Sequence, residues 1–402
     1  MAKQGRTASR HSELPVAGVS ARGAQRLRRL NPWCYRTDVE RPPVSAAPGA
    51  VVQVVDPQGN PIGQAFWASR SPLALRLLTR SSPSEEPIDD AFFRRRLEAS
   101  IARRSVMGGR DALRLVHGES DLLPGLFVDR YGSGLVVQAL SEGADARKEL
   151  FARLLVDLTG ATHVVFRDDA SGRDWEGLPR EVRISHGKPP ARFAFQEGHN
   201  RYEVDLLEDM KTGSFLDQMD NHLRAGELGR GEALDCFSYH GGFALALATR
   251  CHSVLAVEQD GRAAARAEAN ARANGRDNVT VRNANAFDVL HEFDRAGRKF
   301  DTIVLDPPGL AKRKEGLGTA IRAYKELNLR ALRCLAPDGL LVTCSCSGRL
   351  TRDAFEEMVL SAALDARRSV QILERRGAGL DHPVLAALPE SEYLKAWFLR
   401  VL

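Results

Sequence analysis

At 402 residues the chain is too long for one ordinary hydrophobic core, so two or three domains are expected, and 43% apolar residues suffice to build them. No apolar run approaches the roughly 18 residues a membrane span requires, and polar and charged residues stand where a secretory signal would be apolar. These features exclude a membrane-spanning helix and predict a cytoplasmic protein, whose net charge of +5 conceals a basic front: residues 1–110 hold 18 Lys and Arg against 9 Asp and Glu.

Residues 1–20 are polar with no apolar period and are expected to be a disordered leader. Within residues 21–85, short apolar runs at 51–55, 62–67 and 73–78 with a Gly59-Asn60-Pro61 turn predict a small β-barrel. Ahead of those runs the cluster Arg26, Arg28 and Arg29 leads into Asn31-Pro32-Trp33. A basic front on a slightly acidic body fits an RNA-docking arm carrying these three arginines and Trp33; solvated arginines behind a basic leader fit the composition equally. Trp33 is either a platform for a stacked base or a plug of the barrel.

The Ser-, Pro- and acid-rich stretch 81–90 reads as a linker. Residues 90–207 are expected to form a small α+β domain: a helix at 92–104, strands at 113–116, 125–131 and 135–140, a helix at 144–158 and a strand at 163–167. The Gly132-Ser133-Gly134 turn suits a tight hairpin. The charged, Gly- and Pro-containing stretch 170–190 is expected to be a loop before strand material at 193–207.

Residues 208–402 alternate regularly, with strands at 233–237, 254–257, 279–281, 302–305 and 340–343 and helical stretches such as 262–273 and 320–335. That alternation predicts an α/β, doubly wound, largely parallel sheet, closed by a hairpin of strands near 370–373 and 393–401.

Ligands of such sheets bind at the carboxyl ends of the strands, and chemically capable residues collect there. The first strand runs into Asp235-Cys236-Phe237-Ser238-Tyr239-His240-Gly241-Gly242, where glycine permits a sharp turn and close backbone approach to a ligand at the helix N-terminus. Asp235, Phe237, Ser238 and Gly241 are the candidates there. Glu258 ends the second strand about twenty positions on, placed to accept both hydroxyls of a ribose. The third strand leads to Asn285 and Ala286, where a polar side chain can pair with an adenine edge and Phe287 can cover its face. An adenosine-containing cofactor follows; the turn alone suits NAD as well as a methyl donor, and the missing third glycine argues against a dinucleotide.

Asp306-Pro307-Pro308 ends the fourth strand, and Cys344-Ser345-Cys346-Ser347-Gly348 ends the fifth. Cytosine C5 is not nucleophilic until something adds to C6. A cysteine thiolate does this, giving an enamine whose C5 attacks a methyl group. Cys346, between a strand and a helix expected from about Thr351, suits an activated thiol, and Asp306 can hold the base by its N3/N4 edge. Either cysteine can instead be a buried small hydrophobe, the preferred reading for Cys344. A zinc site lacks a second Cys or His pair at ligand spacing, and the six scattered cysteines read as free thiols, so no metal is expected.

With these residues in view, the chain resembles the RlmI-type 23S rRNA cytosine-C5 methyltransferases from about Arg22 to Leu402. The likeness rests on Asn31-Pro32-Trp33, Gly125-Leu126-Phe127-Val128-Asp129-Arg130-Tyr131-Gly132, Lys211-Thr212-Gly213-Ser214-Phe215-Leu216-Asp217-Gln218, Cys236-Phe237-Ser238-Tyr239, Asp306-Pro307-Pro308, Tyr324-Lys325-Glu326-Leu327-Asn328, Ser345-Cys346-Ser347-Gly348 and Asp381-His382-Pro383. It implies an N-terminal PUA-like RNA-binding barrel, a small α+β domain and a Rossmann-like class I methyltransferase domain using S-adenosyl-L-methionine. It further implies Cys346 as nucleophile, Asp306 at the reaction centre, Glu258 on the ribose, and a donor-pocket loop with Lys211, Thr212, Phe215 and Gln218. The implied partner is large-subunit rRNA or the assembling large subunit, with a second copy of the chain as a further candidate.

Two positions depart from the family: Asn285 stands where an aspartate is usual, and Gly309 where relatives often carry Lys. Two other functions stay open. Asp-Pro-Pro also occurs in enzymes that methylate a base nitrogen of adenine or guanine, but those usually place an aromatic residue where this chain has Gly309. A non-catalytic RNA-binding ribosome assembly factor would keep the fold and lose the chemistry. His382 and His240 read either as substrate and cofactor contacts or as structural and loop residues.

Overall fold

The computed structural model describes residues 14–310 and 316–402. A six-stranded sheet comes first, in the order Trp33–Tyr35, Leu73–Thr79, Pro61–Trp67, Val51–Val55, Val16–Val19, Val39–Arg41. Its Val16–Val19 strand lies inside the stretch expected to be a leader: Val16 to Gly18 pair in parallel with Gln53 to Val55, and Ala17 and Val19 are buried. Four residues are too short for a periodic signal, so the sequence does not announce this strand. The remainder of the expected leader, residues 1–13, lies outside the described residues.

The second sheet has five strands, Glu181–His186, His163–Asp168, Gly134–Ala139, Leu126–Tyr131 and Ala112–His117 in spatial order. Glu181–His186 falls in the expected loop and corrects it. Glu181, Arg183 and Ser185 mask the alternation, while Arg183 and Glu181 face partners on the neighbouring helix. The helix expected at 144–158 is two pieces, Glu142–Asp145 and Lys148–Thr159. A hairpin, Arg192–Glu197 with Asn200–Asp205, leads out of this region.

The third sheet has seven strands in the order Val279–Asn283, Ser253–Glu258, Glu232–Cys236, Phe300–Leu305, Leu335–Ser345, Lys395–Val401, Val370–Arg376. Its first five strands are parallel, and Lys395–Val401 enters antiparallel between the fifth and Val370–Arg376. Runs such as Ala233-Leu234-Asp235-Cys236 and Thr302-Ile303-Val304-Leu305 are buried throughout, as strands covered by helices on both faces must be. One core lies on each side of this sheet. One contains Leu234, Leu305, Tyr324, Phe355 and Trp397; the other contains Val304, Val342 and Phe398 and continues into Tyr131 and Val136 of the five-stranded sheet. Strand order reverses between Glu232–Cys236 and Phe300–Leu305, and a crevice opens at their carboxyl ends.

Among the described residues no helix is long and apolar enough to cross a membrane, and no group of three or more His, Cys, Asp or Glu side chains is placed to hold a metal ion.

Candidate active site

A cavity of about 970 Å³ occupies that crevice. Its floor is the turn after Cys236. Phe237 and Tyr239 hold positive φ of 66° and 49°, uncommon for residues with a side chain, and Gly241 (φ 88°) precedes the helix Gly242–Leu247. At Gly242 a Cβ would stand 2.4 Å from His222 Cε1, so only glycine lets the helix start against that ring. Ser238 Oγ donates to Asp235 Oδ2 at 2.6 Å, while Asp235 Oδ1 is buried with no partner. Burial pushes the Asp235 carboxyl up to about 7, against the pull of that hydrogen bond and of His222.

Glu258 faces the cavity with both oxygens anchored: Oε2 accepts the Tyr239 amide and Oε1 the Asp260 amide, each at 2.8 Å. Each oxygen retains a lone pair able to accept a further hydrogen bond. Asn285 is differently occupied. Its Oδ1 caps the helix Ala286–Ala296 through the Phe287 amide, its Nδ2 lies 3.2 Å from Gln259 Oε1, and neither Asn285 nor Ala286 lines the cavity. Gln259 and Asp260 line that side instead.

The Lys211–Gln218 loop forms a wall. It is strapped to the glycine turn by Tyr239, whose hydroxyl accepts from the Met210 amide and donates to the Gly213 carbonyl, and to the central sheet by Tyr131, which accepts from the Ser214 amide. Lys211 Nζ sits 4.1 Å above the Phe215 ring, and both residues line the cavity with Gln218. Thr212 turns away into a neighbouring recess shared with Arg114 and Tyr393.

Asp306 and Cys346 meet across the crevice. The loop after Asp306 passes so close to the thiol that a Cβ on Gly309 would lie 3.6 Å from Cys346 Sγ. Burial, reinforced by Asp217, raises the Asp306 carboxyl to about 6 against the pull of His222, Gln218 and Lys211. The Gln218 amide faces it loosely, since Nε2 makes no hydrogen bond of ordinary geometry. Burial and then the Asp306 charge push the Cys346 thiol up, and Lys211 pulls it down. Cys344 is fully enclosed with its thiol raised by burial, a core residue. The helix after Cys346 starts at Arg352, capped by Thr351, whose side chain accepts the Ala354 amide.

Three cavity features carry no local sequence signal. His222 is buried with Nδ1 2.7 Å from Glu197 Oε1; burial opposes its protonation, and Glu197 more than offsets this. Tyr202, also on the wall, has a buried hydroxyl with no partner. Lys395, from the inserted strand, donates to the Ser347 carbonyl behind the thiol. His240 stacks on Tyr239 at 3.7 Å and lines the cavity, whereas His382 is buried against Asp381.

The basic residues of the first domain differ in availability. Arg26 lies over Tyr35, Arg28 pairs with Asp56 at 2.6 Å, and Arg29 is exposed. Trp33 donates its indole N–H to Glu119 of the central domain at 2.9 Å, so it serves the junction rather than standing free as a stacking platform.

Residues 19–80 match a PUA-like domain model, and residues 214–351 match a model described as conserved hypothetical protein 95. The chain is 37% identical to the Ribosomal RNA large subunit methyltransferase I of Aliivibrio fischeri, over 93% of this chain and 96% of the relative. Proteins of the same name from Shewanella amazonensis and Yersinia pestis are 38% and 36% identical over 93% and 97% of this chain and 96% and 100% of theirs. Among solved structures, SMU.776 complexed with SAH superposes with a TM-score of 0.83 at 19% identity, covering 96% of this chain and 100% of that one.

Proposed function

The chain belongs to the Ribosomal RNA large subunit methyltransferase I family, and from that premise we propose that it transfers a methyl group from S-adenosylmethionine to C5 of a cytidine in 23S rRNA, with Cys346 as nucleophile. The observation that carries this reading is the approach of the Asp306 loop to Cys346 beside the strand-order reversal, with Cys346 on the cavity wall and Gly309 presenting no side chain against its thiol.

The residues fit the methyl donor. The Gly241-Gly242 turn leaves room for a close ligand, Glu258 offers two anchored acceptors for ribose hydroxyls, and Asp235 lies beneath the wall, holding Ser238 of the lining at 2.6 Å. Bound there, the donor supplies an electrophilic methyl group. Cys346 Sγ adds to C6 of the cytosine while N3 takes up a proton, which makes C5 electron-rich. Asp306, titrating near 6, is matched to carry the thiol proton to N3 near neutral pH. After methylation a base, which water reaching the open cavity can supply, takes the C5 proton, Cys346 leaves as thiolate with cleavage of the S–C6 bond, and N3 returns its proton to Asp306. The base reaches this site only when turned out of its stack. Gly309 argues against methylation of a base nitrogen, since it offers no ring to hold the base.

The test is incubation with labelled S-adenosylmethionine and hypomethylated rRNA, followed by identification of the labelled nucleoside. The expected product is 5-methylcytidine, and Cys346→Ala should lower its formation by about three orders of magnitude or more while calorimetry shows donor binding intact. A labelled adenosine or guanosine, or full activity without the thiol, defeats the cysteine mechanism; no label in any rRNA favours a non-catalytic RNA-binding factor.

A further inference from the structure

Lys395 is 2% exposed, and its ammonium is held by two carbonyls, Ser347 O at 2.7 Å and Tyr393 O at 2.9 Å. Its backbone pairs across the sheet with Ser345, so the side chain spans the Ser345-Cys346-Ser347 turn from the first residue to the carbonyl of the last. Among the described residues no carboxylate forms an ion pair with it; Glu392, which acts on it from a distance, is engaged by Arg352. A buried cation with two neutral acceptors lacks a counter-charge. The carbonyl it holds at 2.7 Å belongs to Ser347, the residue next to the Cys346 thiol, which is the acidic group that acts on it most strongly.

We propose that Lys395 is the positioning residue of this site: it holds the Ser345–Ser347 turn in place and supplies the counter-charge of the Cys346 thiolate. The inference rests on Cys346 as nucleophile for its catalytic meaning, though not for the pairing itself. Burial alone makes this thiol hard to ionise, and Asp306 and Asp217 add negative charge from two other elements. Lys211 opposes them from the loop wall of the cavity, over Phe215, and Tyr324 approaches from the helix Leu317–Cys334. Lys395 works from beneath, where solvent and substrate do not displace it. Burial lowers its own titration to about 8, with Cys346 and Glu392 opposing and Arg352 assisting. Ionising the thiol beside this ammonium leaves a compensated pair rather than an isolated buried anion.

The test is the pH dependence of Cys346 alkylation by iodoacetamide, resolved by mass spectrometry from the other five cysteines, all of them buried. In Lys395→Met the midpoint should rise and the rate at pH 7.5 should fall about tenfold, while Lys395→Arg retains part of the wild-type profile. An unchanged profile in a folded, donor-binding Lys395→Met protein overturns the pairing. If that variant does not fold, the reciprocal reading uses Cys346→Ser: the titration of 13Cε-labelled Lys395 should move down from its wild-type midpoint, and an unmoved midpoint overturns the proposal. A shifted thiol midpoint with undiminished 5-methylcytidine formation in Lys395→Met supports the pairing and defeats Cys346 as nucleophile, which separates the two claims.

Discussion

Asp235 illustrates a buried carboxyl kept at a cost to stability. One oxygen accepts from Ser238, and the other makes no hydrogen bond of ordinary geometry. Because the folded carboxyl titrates near 7 rather than 3.8, the folded state holds its proton more tightly than the unfolded chain does. Its contribution is therefore present below about pH 4 and lost as pH rises to about 7. Asp235→Asn removes this loss. The melting temperature of the ligand-free variant should exceed wild type by an amount that grows from pH 4 to pH 7 and then levels, on the order of a few kcal/mol in stability. Donor affinity should fall in the same variant. A constant offset across that pH range would show that the carboxyl is not strained by burial.

At the scale of elements, the glycine turn and the helix behind it depend on a ring that arrives from elsewhere in the chain. His222 lies 4.4 Å from the Phe243 ring, centroid to centroid, and occupies the space a Gly242 side chain would need. Gly242→Ala should destabilise the protein by about 1–3 kcal/mol in urea unfolding, while Gly172→Ala, where a Cβ meets nothing within 4 Å, should stay within about 0.5 kcal/mol. The sequence revealed the elements whose signals are local: strands ending at Cys236, Glu258 and Leu305, and the glycines that follow the first of them. It concealed Glu181–His186, because charged residues alternate with only Val182 and Ile184, and the short Val16–Val19 strand. It also concealed His222 and Lys395, whose roles arise from contacts between residues far apart in the chain. At Asn285 an N-cap and an adenine contact draw on the same polar side chain at a strand end, and the oxygen serves the cap.

In the whole molecule the three sheets are joined by buried contacts. Phe66 and Leu78 of the first domain share a core with Phe93 and Phe151 of the central domain. Arg76 crosses the same junction to Glu176 at 2.7 Å, with both side chains nearly inaccessible, and Ser69 reaches Glu142 through its amide and hydroxyl. On the other side, Asp381 of the catalytic domain accepts the Arg114 amide, and its carbonyl accepts from Arg104. Glu176→Gln leaves the buried Arg76 cation with only its longer ion pair to Glu119 at 3.7 Å and should lower unfolding free energy by about 2 kcal/mol, with proteolysis between the first two domains accelerated. Equal protease resistance would mean that the apolar contacts alone secure the joint. A joint of this kind turns the molecule into a ruler. On the proposed reaction, the separation between the exposed Arg29 and the thiol at Cys346 becomes a fixed length, so that the target base would be chosen by its distance from a docking point rather than by the letters around it.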